Sequence, residues 1–145
     1  MTITLPGSKS IAAAMNAERI RMEIASQNIA NARVTQTEAG QPYRRQQVVF
    51  ESVLQDARRS GTGTTAPLQS VQIARIEEDQ SPFKRVYDPE HPNATPDGYV
   101  HYPNVDVNRE MVDLMIASRA YEANVAAFKF SRTMASEALS IGKSS

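Results

Sequence analysis

The sequence predicts an α+β fold: long N- and C-terminal α-helices that pair and pack against neighbouring subunits, with a small β-rich insert between them. Three observations predict it. From Asn104 onward there is no proline, and no glycine before Gly142. A second, alanine-rich run without Gly or Pro lies between Ser8 and Ala32. The segment between them is punctuated by Gly40, Pro42, Pro67, Pro82, Pro89, Pro92, Pro96 and Gly98, with alternating stretches between the breaks. The boundaries expected are an N-terminal assembly helix over 1–32, the insert over 33–103 with a flexible loop at 58–67, and a C-terminal assembly helix over 104–145.

The C-terminal helix is justified first by its ends. Asp106 suits the N-cap, Glu110 suits the positive end of the helix dipole, and Gly142 followed by Lys143 reads as the stop. A helix of this length spans roughly 50 Å, more than a small domain needs. At ~100° per residue it shows two apolar stripes rather than one. Leu114, Ala117, Tyr121, Val125, Phe128, Ala135 and Leu139 form the first. Val112, Ile116, Ala120, Ala123, Ala127, Phe130, Met134, Ala138 and Ile141 form the second. Asp113, Asn124 and Ser131 run as a thin polar line between them. A helix with two apolar stripes is built to touch two or more partners.

The N-terminal helix is expected from Ser8 or Ser10 to about Ala32. It too has two faces: Ile11, Met15, Met22 and Ile29 on one, Ala13, Ala17, Ile20 and Ile24 nearly opposite. Asn28 and Asn31 near its end favour termination over continuation.

The insert is read as four strands. Tyr43–Phe50, Val71–Ile76 and Phe83–Tyr87 alternate or carry β-formers, and Tyr99–Tyr102 pairs as a short strand before Pro103. The segment 88–98 holds three prolines and ends in Asp97-Gly98, so it is a loop and turn. The insert has too few apolar side chains to cover both helices.

Composition removes several classes. The 145 residues carry 16 Lys plus Arg against 16 Asp plus Glu, without the basic excess that nucleic-acid binding uses. No cysteine is present, which excludes disulfides and thiolate metal sites. No apolar run approaches a membrane span, and the first residues lack the basic and apolar regions of a cleaved signal peptide.

Chemistry-bearing motifs are equally sparse. Asp88, Glu90, His91, Asp97, His101 and Asp106 are the one cluster with ligand-type side chains. Their spacing matches no zinc or other metal motif, and turn formation explains them better. Gly61 and Gly63 lack the strand–helix context and lysine of a phosphate loop. No catalytic, cofactor-binding or metal residues are expected. The expected functional residues are the helix stripes: Ile11, Met15, Ile20, Met22, Ile24, Ile29, Val112, Leu114, Ile116, Tyr121, Val125, Phe128, Phe130, Met134, Leu139 and Ile141. On this reading Phe128→Asp and Ile24→Asp block assembly, whereas changes at Leu114 and Tyr121 lower the stability of the subunit itself.

The run from Met15 to Ala32, Met-Asn-Ala-Glu-Arg-Ile-Arg-Met-Glu-Ile-Ala-Ser-Gln-Asn-Ile-Ala-Asn-Ala, resembles the N-terminal signature of flagellar rod and hook proteins. The run Pro82 to Pro92, then Gly98-Tyr99-Val100, Tyr102 to Asp106 and Ala117 to Val125, is similar to basal-body rod proteins in particular. Two departures stand out. Ala32-Arg33-Val34-Thr35 replaces the usual Ala-Asn-Thr, and 60–67 follows no family pattern. The resemblance implies a non-enzymatic structural subunit of the proximal rod, the tubular drive shaft that transmits torque for motility. It implies partners too: other copies, other rod proteins including the junction protein to the membrane ring, and the type III export apparatus, with no nucleic acid and no membrane span. It further implies a place in the basal body, reached without a cleaved signal peptide. The rival from another class is a soluble helical adaptor or export chaperone that shares the helices but never polymerises.

Overall fold

The computed structural model of the chain describes residues 8–55 and 68–143; the expected loop at 58–67 lies outside them. The element order is α1 (Ser8–Ala30), β1 (Gln46–Gln55), β2 (Leu68–Glu78), β3 (Lys84–Tyr87), β4 (Tyr99–Tyr102) and α2 (Val107–Lys143). At ~1.5 Å per residue the helices are about 35 and 55 Å long, so α2 outlasts α1 by roughly 20 Å.

Asp106 caps α2 as expected. Its Oδ1 accepts the backbone N–H of Asn108 at 3.1 Å and faces that of Arg109 at 3.5 Å. The far end differs from expectation. Gly142 does not stop the helix, which continues to Lys143. Glycine in the last turn of a helix costs only about 1 kcal/mol relative to alanine, too little to end it by itself.

α1 packs along α2, and the two run antiparallel. Asn28 near the end of α1 meets Glu110 near the start of α2, while Arg21, earlier in α1, meets Asp113, later in α2. α1 turns Ala17, Ile24, Ala25 and Asn28 inward, and α2 answers with Glu110 and Ala117. Small side chains on both helices let the backbones approach closely.

The insert is two separate two-stranded antiparallel sheets. β1 pairs with β2 from Gln46 opposite Glu78 to Gln55 opposite Leu68. Ala74 is an extra residue opposite the Val49–Phe50 step, a bulge that bends the ribbon. These strands are longer than their apolar cores suggested, because the ladder carries on through polar residues. Conversely, Tyr43, Arg44 and Arg45, expected in the strand, precede it. The ribbon lies against α1, which gives a two-stranded unit the cover it needs.

β3 pairs with β4, Lys84 opposite Tyr102 and Tyr87 opposite Tyr99. The turn between them closes through Gly98 at φ 76°. A Cβ there would come within 2.9 Å of the Tyr87 ring, so both the backbone sign and the space require glycine. Tyr87 meets Tyr99 edge to face, with ring centroids 5.3 Å apart. Behind β4 the chain buries Val100, Pro103 and Val105. Lys84 Nζ donates to the Val105 carbonyl at 2.7 Å and fastens this small sheet to the approach of α2.

Candidate assembly interface

Two features of the fold bear on function: a polar clasp at the junction of all elements, and a long apolar face on α2. The clasp is built around a buried carboxamide and a buried carboxylate. Asn28 is 0 % exposed and Glu110 2 %. Asn28 Nδ2 donates to Glu110 Oε2 at 2.9 Å and to the Gln46 carbonyl at 2.8 Å. Its Oδ1 accepts the Gln46 N–H at 2.9 Å and the Tyr43 hydroxyl at 2.9 Å. The side chain of Asn28 thus pairs with both backbone groups of Gln46, as a neighbouring strand would, and closes the first residue of the β1 edge.

Arg45 supplies the counter-charge. Its Nε donates to Glu110 Oε1 at 2.6 Å, and its Nη atoms stand 3.5 Å from Asp79 and 3.9 Å from Asp113. Burial works against the charged guanidinium, but the Glu110 hydrogen bond and the fields of Glu110, Asp79 and Asp113 outweigh it and hold its pKa above the ordinary arginine value. Burial first, then the charges of Glu110 and Glu78, push the Tyr43 hydroxyl above its usual pKa. Around this centre Asn104 completes the fastening. It accepts the Arg45 N–H at 2.8 Å and donates to the carbonyls of Asp79 at 2.9 Å and Ser81 at 3.2 Å. Arg44 donates to the same two carbonyls and stacks over Phe83, 4.4 Å from its centroid.

Asp79 gives the clasp an acid dependence. Hydrogen bonds from the Ser81 hydroxyl and backbone N–H, and then Arg45, hold its carboxyl below the usual carboxylate range. Its contribution to stability is therefore complete above the unfolded value near pH ~4 and disappears as pH falls through the lower folded value. Asp79→Asn should lower the melting temperature at neutral pH by that contribution and flatten the acid limb of the stability–pH curve, so that parent and variant converge in acid, as followed by thermal melts from about pH 2 to about pH 7.

An open groove of about 310 Å³ lies beside the clasp, lined by Ile24, Ala25, Val48 and Phe50 with Arg21, Arg45, Glu110 and Asp113. Its carboxylates are already engaged by Arg45 and Arg21. His91 sits edge-on to Tyr102, and its Nδ1 accepts the Asn93 N–H at 3.1 Å. Among the described residues no three His, Cys, Asp or Glu side chains converge as a metal site.

The expected stripe residues divide into three groups. Ile24 is 7 % exposed and belongs to the interior of the single chain. This corrects the expectation that it lies on an assembly surface: it sits between Arg21 and Asn28 on the face turned to α2 and β1. Ile11, Met15, Ile20, Met22, Ile29, Leu114, Tyr121 and Val125 are half-buried. Leu114, Tyr121 and Val125 share the inward side with Ala117, and the polar line of Asp113, Asn124 and Ser131 lies on that side too. Val112, Ile116, Phe130, Met134, Leu139 and Ile141 are exposed, Phe130 to 67 %, and Phe128 stands at the margin at 37 %. Val107, Met111 and Met115 widen the exposed face beyond the stripe read from the sequence. Over 132–142 nearly every side chain of α2 is exposed. An apolar surface of this extent marks an interaction site.

Comparison with known proteins bears on this geometry. Residues 97–141, which span β4 and most of α2, match the family described as Flagellar basal body rod FlgEFG protein C-terminal. The class defined by two apolar terminal helices around a β insert is therefore that of the flagellar basal-body rod proteins. The flagellar basal-body rod protein FlgC of Bacillus subtilis (strain 168) is 42% identical, with 91% of this chain and 93% of that protein aligned. The FlgC of Borreliella burgdorferi is 40% identical over 88% of this chain and 90% of its own. That of Escherichia coli O157:H7 is 41% identical over 90% of this chain and 91% of its own. The chain belongs to the FlgC family of flagellar basal-body rod proteins, and it is a structural subunit of that rod.

Proposed function

We propose that this subunit polymerises through α1 and α2 into the proximal part of a tubular drive shaft that carries torque for motility. The observation that carries the reading is the outer face of α2. Met111, Val112, Met115, Ile116, Phe130 and Met134 are each roughly half exposed or more in the single chain. Covering such side chains is worth up to ~1.5–3 kcal/mol each, so neighbouring helices that seal this face contribute several kcal/mol per copy. Close-packed side chains resist shear, and a wall of packed helices is stiff without any strong single bond. Contacts between unlike faces of successive copies, when each step combines rotation with translation, extend into an open helical tube.

The partners on this reading are other copies and other rod proteins, including the one that joins the rod to the membrane ring. The type III export apparatus delivers the chain, which takes its place in the basal body within the envelope. It carries out no catalysis. A non-polymerising adaptor accounts less well for a helix that exposes apolar side chains along most of its length. A density map of purified basal bodies tests the proposal. Helices of neighbouring subunits should cover Met111 through Met134 on the outer face; solvent on that face would contradict it.

A further inference from the structure

We propose that Asn28 is a specificity-determining residue for helix pairing: it selects the register, and the partner chain, in which α1 packs on α2. The contact surface around it is poor in distinctive shapes. α1 presents Ala13, Ala14, Ala17 and Ala25 on or near its inward side, and α2 presents Ala117 and Ala120. Small, similar side chains define a register weakly, and an alanine-lined helix can slide or pair with the equivalent helix of another copy. One group in this surface cannot slide. The Asn28 carboxamide is fully buried and makes four hydrogen bonds, two to the Gln46 backbone and one each to Glu110 and Tyr43.

A slip of α1 by one helical turn moves Asn28 by about 5.4 Å and breaks all four bonds at once. It leaves the Gln46 N–H and C=O without their partner and takes one donor from a buried carboxylate. Wrong registers are thus penalised by unpaired buried polar groups rather than by clashes. A buried polar side chain that fixes register at some expense of stability has its best-known use at helix–helix contacts. The inference concerns pairing within one chain, so it stands independently of what covers the outer face of α2.

The natural chain has no cysteine, which leaves the background clean for labelling. Spin labels on Ser26→Cys and Arg119→Cys, two exposed positions on α1 and α2, report the pairing as a distance in the full-length chain. The measurement is made at concentrations where α1 amides are protected from exchange. The parent should give one narrow distance. Asn28→Leu should keep its helical circular dichroism but give several distances, or coupling between singly labelled chains. The parent in urea, brought to the same stability, should keep the single distance. A second variant separates register from folding. Asn28→Asp alone sets two carboxylates face to face and should scatter the distances. Adding Glu110→Gln restores a donor opposite the new acceptor and should return the narrow distance, with a lower melting point because the Gln46 carbonyl has lost its donor. A single unchanged distance in Asn28→Leu overturns the proposal. So do equal scatter in the urea-matched parent, failure of Asn28→Leu to fold, or no recovery in the double variant.

Discussion

Glu110→Ala should remove about 3 kcal/mol of unfolding free energy, the lower end of the range for breaking a buried ion pair. That is a large part of the ~5–15 kcal/mol that holds a domain together. As a plain first-turn carboxylate Glu110 would contribute only ~0.3–1 kcal/mol through the helix dipole, so the two accounts differ measurably. The reason for the larger figure is burial. Glu110 is 2 % exposed and bonded to Arg45 at 2.6 Å and Asn28 at 2.9 Å. The reason for the lower end is that Arg45 keeps Asp79 at 3.5 Å and Asp113 at 3.9 Å after Glu110 is gone. Arg45→Ala should be worse, because it leaves a buried carboxylate with the Asn28 amide as its one remaining donor in the clasp. The double variant should lose less than the two single losses added together, as expected for partners in one network. Urea unfolding of the full chain, read by circular dichroism, checks all three.

Phe130→Asp should do the reverse: unfold within about 0.5 kcal/mol of the parent, the usual range for surface changes, yet abolish swimming. Phe130 is 67 % exposed, so a carboxylate there remains solvated in the single chain. Under the proposed assembly it must enter an apolar contact, where an unpaired charge is strongly unfavourable. Ile24→Asp also stops swimming, but by another route. It places the charge at a 7 % exposed interior site, and the loss should appear as missing folded protein. Thermal melts and swimming in soft agar, with protein amounts compared in the same cells, separate the two. Phe128→Asp, at the margin, should fall between them.

These contrasts show what could be read before folding. Helix positions were legible because apolar residues recur at helical spacing without Gly or Pro, and Asp106 announced the start of α2. The outer face was legible as a second stripe, though Met111 and Met115 fell outside the narrow stripe drawn at ideal spacing. Both long strands were shortened, since Gln, Ser and Glu in the ladder look like loop. The clasp was missed. Asn28 read as a helix terminator, Arg45 as a strand residue and Glu110 as a dipole partner. They lie 17 to 82 positions apart, and such pairing has no local signature. One cue existed. Glu110 stands four residues before Leu114 and seven before Ala117, on the inward stripe, and Asn28 stands four after Ile24. A polar residue on an inward position asks for a partner.

In the proposed assembly, α2 carries an apolar face which a single copy leaves open and neighbouring subunits cover. Thiol labelling of Ile116→Cys measures this directly, because the natural chain has no cysteine. Ile116 is 49 % exposed, so a maleimide should modify the free chain rapidly. The same position in isolated basal bodies from motile cells should be protected. Equal labelling in both would contradict the account.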